Sequence, residues 1–272
     1  MISWAANLSM LFTEHPFLER FEAARRAGFE NVEYLFPYEH PPEVLSDALK
    51  SSGLTQVLFN LPAGDWEAGE RGVACHPDRR EEFRRGVQTA LEYANQLGVS
   101  RINCLLGVVP EGVPAREARQ VAVENLRFAS DQLAPHGITL LTEAVNTGDV
   151  PGFLISKTRE AVEIIEEADR PNLRLQHDIY HMQIMEGNLI QTLHRHLGII
   201  DHVQVADVPG RHQPGSGEIN YPFVLESLAR AGYRGYVSLE YVPEGDTVES
   251  LRRARLAGLD RLGLPGPPEG QR

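Results

Sequence analysis

The chain has 272 residues, 42% hydrophobic and 24% charged, the makeup of a water-soluble globule of one or two domains. Lys+Arg 26 against Asp+Glu 38 leaves a net charge of −12, which disfavours nucleic acid and anionic membranes as partners. No apolar run reaches the ~18 residues of a membrane span, the opening residues lack signal-peptide features, and two cysteines are too few for a disulfide framework. A cytoplasmic location is therefore expected.

Short β-type runs are predicted at residues 2–8, 31–36, 54–60, 101–107, 138–143, 173–178, 201–206 and 236–241. Each is apolar-rich and short, as buried parallel strands are. The segments between them carry helical spacing. Pro16 opens one such segment and Gly28 closes it. Over residues 78–97, Phe83, Val87, Ala90, Leu91, Ala94 and Leu97 form one face, with Gly98 as the stop. Pro114 and Gly137 bracket a further helix, and Pro222 and Gly232 a later one. Eight β-then-α units predict a single (β/α)8 TIM barrel over residues 1–264, with a disordered Pro/Gly-rich tail at 265–272. An open doubly wound sheet would bring a glycine-rich turn after the first strand, and Asn7, Leu8, Ser9 and Met10 supply none. Lys50 and Lys157, the only lysines, lie off the strands, which leaves little for Schiff-base chemistry.

A barrel of this kind works at the C-terminal ends of its strands. There the predicted strands 5 to 8 bring Glu143, Asp178, Gln204 and Glu240. Alternation turns Asp178 away from Leu173 and Leu175, Gln204 away from Val203 and Val205, and Glu240 away from Val237 and Leu239. The polar set thus faces the barrel axis. Three carboxylates on one buried rim repel each other unless protonated or bound to a cation. An all-oxygen set suits Mg²⁺ or Mn²⁺ better than Zn²⁺. The other reading is that each acid caps a helix or meets solvent.

His181, three residues past Asp178, is expected to contact substrate oxygens, with an ordinary loop histidine as the alternative. His177 has the parity of a residue packed on a helix, and His202 that of a deeper barrel layer. The long glycine-rich loop at 206–221 is a candidate lid. Arg211 is its one cation, either a bidentate partner for an anionic substrate or a solvated loop residue.

The blocks AANLSMLFTE at 5–14, FENVEYLFPY at 29–38, FNLPAGD at 59–65 and GEINYP at 217–222 closely resemble bacterial hydroxypyruvate isomerases. The likeness runs from residue 2 to about 243. These enzymes sit among the xylose-isomerase-like barrels, together with ketose 3-epimerases and an abasic-site endonuclease. The resemblance implies an isomerase interconverting hydroxypyruvate and 2-hydroxy-3-oxopropanoate, with Glu143 and Glu240 as the catalytic pair. It also implies Glu143, Asp178, Gln204 and Glu240 as ligands of one divalent ion, Mg²⁺ or Mn²⁺, and no organic cofactor. The similar ketose epimerases have histidine where Gln204 stands, which favours the isomerase branch.

The expected mechanism is a glutamate proton shuttle through a metal-stabilised enediolate, on a small anionic hydroxy-keto acid held by His181 and Arg211. The alternatives are a four-carbon oxo-acid isomerase or ketose 3-epimerase, a DNA-repair endonuclease, and a non-catalytic ligand-binding barrel. The endonuclease would need a histidine-rich multi-zinc rim and a basic groove. A homo-oligomer is compatible with the sequence.

Overall fold

The computed structural model describes residues 2–266. Parallel strands β1 (Ser3–Asn7), β2 (Asn31–Glu33), β3 (Thr55–Asn60), β4 (Arg101–Cys104), β5 (Thr139–Thr142), β6 (Leu173–Asp178), β7 (Ile200–Val205) and β8 (Tyr236–Leu239) pair in sequence order. The barrel closes where Ser3 to Ala6 pair with Tyr236 to Leu239. The connections carry α1 (Arg20–Arg26), α2 (Pro42–Ser52), α3 (Arg80–Leu97), α4 (Ala115–Leu133) and α5 (Thr158–Ala168) after the first five strands. Helices α6 (Ile179–Met185) and α7 (Leu189–His196) follow β6, α8 (Tyr221–Arg230) follows β7, and α9 (Thr247–Leu256) follows β8. The expected (β/α)8 barrel is present.

Local chemistry accounts for the helix limits. In α3, Phe83, Val87, Ala90 and Ala94 are buried, while Gly98 takes a left-handed φ of 69° and bonds back to Ala94. Leu91 and Leu97, expected on the same face, sit at its edge and are half-buried. Asn220 caps α8 by accepting from the Phe223 N–H at 3.3 Å, with Pro222 in the first turn, where a missing N–H costs nothing. The main core lies between strands and helices and includes Val203, Val205, Val237 and Leu239, the outward residues of β7 and β8. Each fully buried large aliphatic residue there contributes roughly 1.5–3 kcal/mol.

The strands are shorter than their apolar runs. β2 ends at Glu33 rather than 36, because the Leu35 N–H leaves the ladder for Ser9 Oγ at 2.9 Å. At the other end of the barrel, Leu264 is buried, and a Cβ on Gly28 would lie 3.4 Å from the Gly266 carbonyl. Pro265 and Gly266 thus pack on the barrel; the rest of the expected tail, 267–272, lies outside the described residues.

Inside the barrel, apolar packing is confined to a small cluster of Ala5, Val57, Leu58 and Leu141, with Tyr236 against it. Ala5, Leu58 and Leu141 precede Asn7, Asn60 and Glu143 by two residues and so share their inward face. One step up each strand, the interior turns polar.

Candidate active site

Strand ends build the site in two tiers. The lower tier is a buried hydrogen-bond network. Asn103 donates to Glu143 Oε1 at 2.7 Å and to Asn60 Oδ1 at 3.1 Å. Gln176 donates to Glu143 Oε1 at 2.9 Å and to Gln204 Oε1 at 2.8 Å. Gln204 Nε2 reaches Glu33 Oε1 at 2.8 Å and Glu240 Oε1 at 3.2 Å, and Asn7 reaches the same two acids at 2.9 and 3.2 Å. His202 Nε2 lies 2.7 Å from Glu33 Oε2, close but out of line for a hydrogen bond. Burial raises the Glu33 carboxyl, yet His202, Gln204 and Asn7 together hold it below its ordinary value. In so dry a place such amides orient the acids they meet.

The upper tier faces a cavity of about 410 Å³ lined by Glu143, Asp149, His181, Arg211 and Glu240 among others. Asp178 lies beside it, with Oδ1 capping α6 through the Tyr180 N–H at 2.8 Å. Its Oδ2 is 3.4 Å from both His181 Nε2 and Arg211 Nη2. The second oxygen of Glu240 pairs with Arg211. Burial, and then the Asp178 charge, push the Glu143 carboxyl up to about 8. Burial also raises Glu240 well above the usual carboxylate range, although the Arg211 guanidinium pulls the other way. Two raised carboxyls on one cavity have the chemistry that proton transfer requires.

His181 is held by Asn146, which Asp149 orients in turn. Asn146 Oδ1 accepts from the Asp149 N–H at 2.8 Å, which turns the amide nitrogen toward His181 Nδ1 at 2.7 Å. Nδ1 is then the acceptor and Nε2 carries the hydrogen. Burial lowers the imidazole to about 4, so it is a neutral donor near pH 7. His177 and His202 take their expected places, His177 buried among the outward side chains of β6 and His202 in the deeper layer.

The loop after β7 is a braced rim rather than a free flap. The buried Asp207 carboxylate accepts from the backbone N–H groups of Val208 at 3.0 Å, Gly215 at 2.8 Å and Ile219 at 3.0 Å. Arg211 itself has a left-handed φ of 57° and its carbonyl accepts from Val242 at 2.8 Å. Such a conformation costs on the order of 1 kcal/mol, and here it aims a guanidinium at two acids.

These residues fit a divalent cation. The carboxylates of Glu143 and Asp178 and a ring nitrogen of His181 lie within 4.8 Å of one another, all three buried, and with Nε2 protonated the two carboxylates are the ligands on offer. Four buried carboxyls, Glu33, Glu143, Asp178 and Glu240, gather at this end of the barrel with Arg211 as their only arginine or lysine partner among the described residues. Added positive charge would relieve that repulsion. Of the expected set of four, Glu143 and Asp178 stand together, while Gln204 Oε1 accepts from Gln176 and Glu240 pairs with Arg211. Glu33, Asn7, Asn103, Gln176 and Asn146 were missed in the sequence. Inward parity alone marks Gln176, while loop residue Asn146 carries no periodic signal.

The family described as "Xylose isomerase-like TIM barrel" matches residues 21–257. Hydroxypyruvate isomerase of Escherichia coli K12 is 47% identical over 93% of this chain and 98% of its own length. 2-Oxo-tetronate isomerase of Pectobacterium atrosepticum is also 47% identical, over 92% of this chain and 96% of its own. A crystal structure described as AP endonuclease, family 2, from Brucella melitensis is 47% identical, covers 92% of this chain and 97% of its own, and superposes with a TM-score of 0.90. Barrel, site and near-full-length identity converge: the chain is an isomerase belonging to the hydroxypyruvate isomerase family of the xylose isomerase-like TIM barrels.

Proposed function

We propose that the protein interconverts hydroxypyruvate and 2-hydroxy-3-oxopropanoate by moving a proton between adjacent carbons. The observation that carries this reading is the pair of buried glutamates with raised carboxyls, Glu143 and Glu240, on one cavity. One takes the proton from C3 of hydroxypyruvate, leaving an enediolate, and the other delivers a proton to C2. In the reverse direction their roles exchange. Glu143 Oε2 has no hydrogen bond among the described residues and is the readier oxygen; both oxygens of Glu240 are engaged. A proton must also pass from O3 to O2, a step we assign to the neutral Nε2–H of His181, which lines the same cavity.

Mg²⁺ or Mn²⁺ held by Glu143 and Asp178, joined by Glu240 and Gln204 on side-chain rotation, would withdraw charge from the substrate's carbonyl and hydroxyl oxygens. Arg211 bridges Asp178 and Glu240 and meets the substrate at its reacting end. The net charge of −12 and the acid-rich floor of the cavity support a small substrate over a polynucleotide. Cys75 and Cys104, buried and unpaired, support a cytoplasmic location.

A second reading, isomerisation of four-carbon 2-oxo-tetronate, is favoured by the equal identity to the Pectobacterium enzyme. Turnover of hydroxypyruvate, 2-oxo-tetronate and neutral erythrulose by the purified protein tests both. A kcat/KM at least tenfold higher for one of the two acids than for erythrulose is expected. Equal or better turnover of the neutral ketose would contradict the proposal.

A further inference from the structure

The cavity has a second cation at its opening. Arg71, in the loop between β3 and α3, lines it together with Trp66 and Phe153. Unlike Arg211, it meets no carboxylate among the described residues. Its Nη1 donates to the backbone carbonyls of Trp66 at 3.0 Å and Glu70 at 2.7 Å, leaving Nη2 and Nε without a protein partner there. The adjacent Glu70 carboxylate is spent elsewhere, on Arg79 and on the Asp65 N–H at 2.5 Å.

The guanidinium is also fixed in place. Its Cζ lies 3.8 Å from the centre of the Trp66 ring, and Trp66 meets Phe36 edge-on at 5.0 Å. Stacking sets the plane of the fork and lowers the entropy lost when it binds a carboxylate. Behind it, Gly72 and Gly107 let two backbones touch. A Cβ on Gly72 would fall 2.2 Å from the Leu105 carbonyl, and one on Gly107 would fall 2.3 Å from the Gly72 carbonyl. The Gly72 N–H also bonds the Ala63 carbonyl at 2.9 Å. Arg71 therefore stands on an anchored loop.

We infer that Arg71, stacked on Trp66, is the specificity-determining clamp for the substrate's carboxylate. This deepens the isomerase reading and rests on it for the identity of the acid. Polarity sets the orientation. The acids Glu143, Asp178 and Glu240 at the floor repel a carboxylate, while the free fork at the mouth accepts one bidentately. The hydroxy-carbonyl end of the substrate then lies toward Glu143 and Glu240. Arg211, expected from the sequence to take the carboxylate, is already committed to two acids.

The test is calorimetric titration of glycerate and of its uncharged amide into wild type, Arg71→Gln and Arg71→Lys, alongside hydroxypyruvate kinetics. Melting curves confirm that the loop variants fold. Arg71→Gln should weaken glycerate binding, and raise KM for hydroxypyruvate, by about 10- to 100-fold, with a smaller loss in Arg71→Lys. Binding of the amide should be the same in all three proteins. Glycerate affinity within twofold of wild type in Arg71→Gln would overturn the inference, as would a wild type that prefers the amide. If glycerate binding depends on Arg71 but wild type isomerises neither acid, the clamp stands and the isomerase reading falls. If wild type isomerises hydroxypyruvate and Arg71→Gln keeps its KM, the reverse holds.

Discussion

Glu143→Gln should make the metal-free protein more stable in mild alkali while abolishing turnover. Glu143 is only 5% exposed, and burial followed by the Asp178 charge moves its carboxyl from an ordinary 4.5 up to about 8. Between those values the folded chain holds a proton that the unfolded chain releases. The stability from this group is therefore full below about 4.5 and is lost as pH rises toward 8. A gap of that size, at about 1.4 kcal/mol per pH unit, amounts to roughly 3–5 kcal/mol. The amide carries no such penalty and keeps the contacts. Its Oε1 can still accept from Asn103 and Gln176, and its NH₂ takes the place of an Oε2 with no partner among the described residues. Thermal melts in chelator from pH 5 to 9 should show equal Tm values at pH 5, with the variant higher by several degrees at pH 8. That follows from about 2–4 °C per kcal/mol for a domain this large. Two Tm curves running parallel across the range would refute the reasoning.

Asp207→Asn should cost about 2–4 kcal/mol, because the new NH₂ would face the Gly215 N–H that Asp207 Oδ2 now accepts. An unchanged Tm would mean that the loop carrying Arg211 is held by other contacts. Mn²⁺ titrated calorimetrically should bind Asp178→Asn at least tenfold more weakly than wild type, since the amide can keep the α6 cap but not the charge. Equal affinities would remove Asp178 from the ion's site.

The barrel was legible because eight apolar runs alternate with helical segments, and because outward residues such as Val203, Val237 and Leu239 pack where alternation places them. The same parity turned Asp178, Gln204 and Glu240 inward. Glu33 escaped because the apolar run continues through Tyr34, Leu35 and Phe36, which placed a strand-end acid in mid-strand; β2 stops at Glu33. Arg71, Trp66 and Asn146 escaped for another reason. Their positions depend on loop paths set by close backbone approaches and side-chain bonds, and no periodicity reports those. Arg211 was found as a cation, but its partners were not, because its left-handed backbone turns it back onto the acids.

Removal of the C3 proton by one of Glu143 and Glu240 and delivery of a proton to C2 by the other is the central claim, and hydrogen isotope tracing tests it most directly. Hydroxypyruvate is incubated with enzyme in D₂O, and deuterium at C2 of the product and C3 of remaining substrate is read by NMR against a no-enzyme control. The account predicts deuterium at C2 in wild type. In Glu143→Gln or Glu240→Gln it predicts that isomerisation stops, while the variant that keeps the C3 base still exchanges hydrogen there. Full retention of the substrate's hydrogen in wild-type product, together with no exchange in either variant, would contradict it.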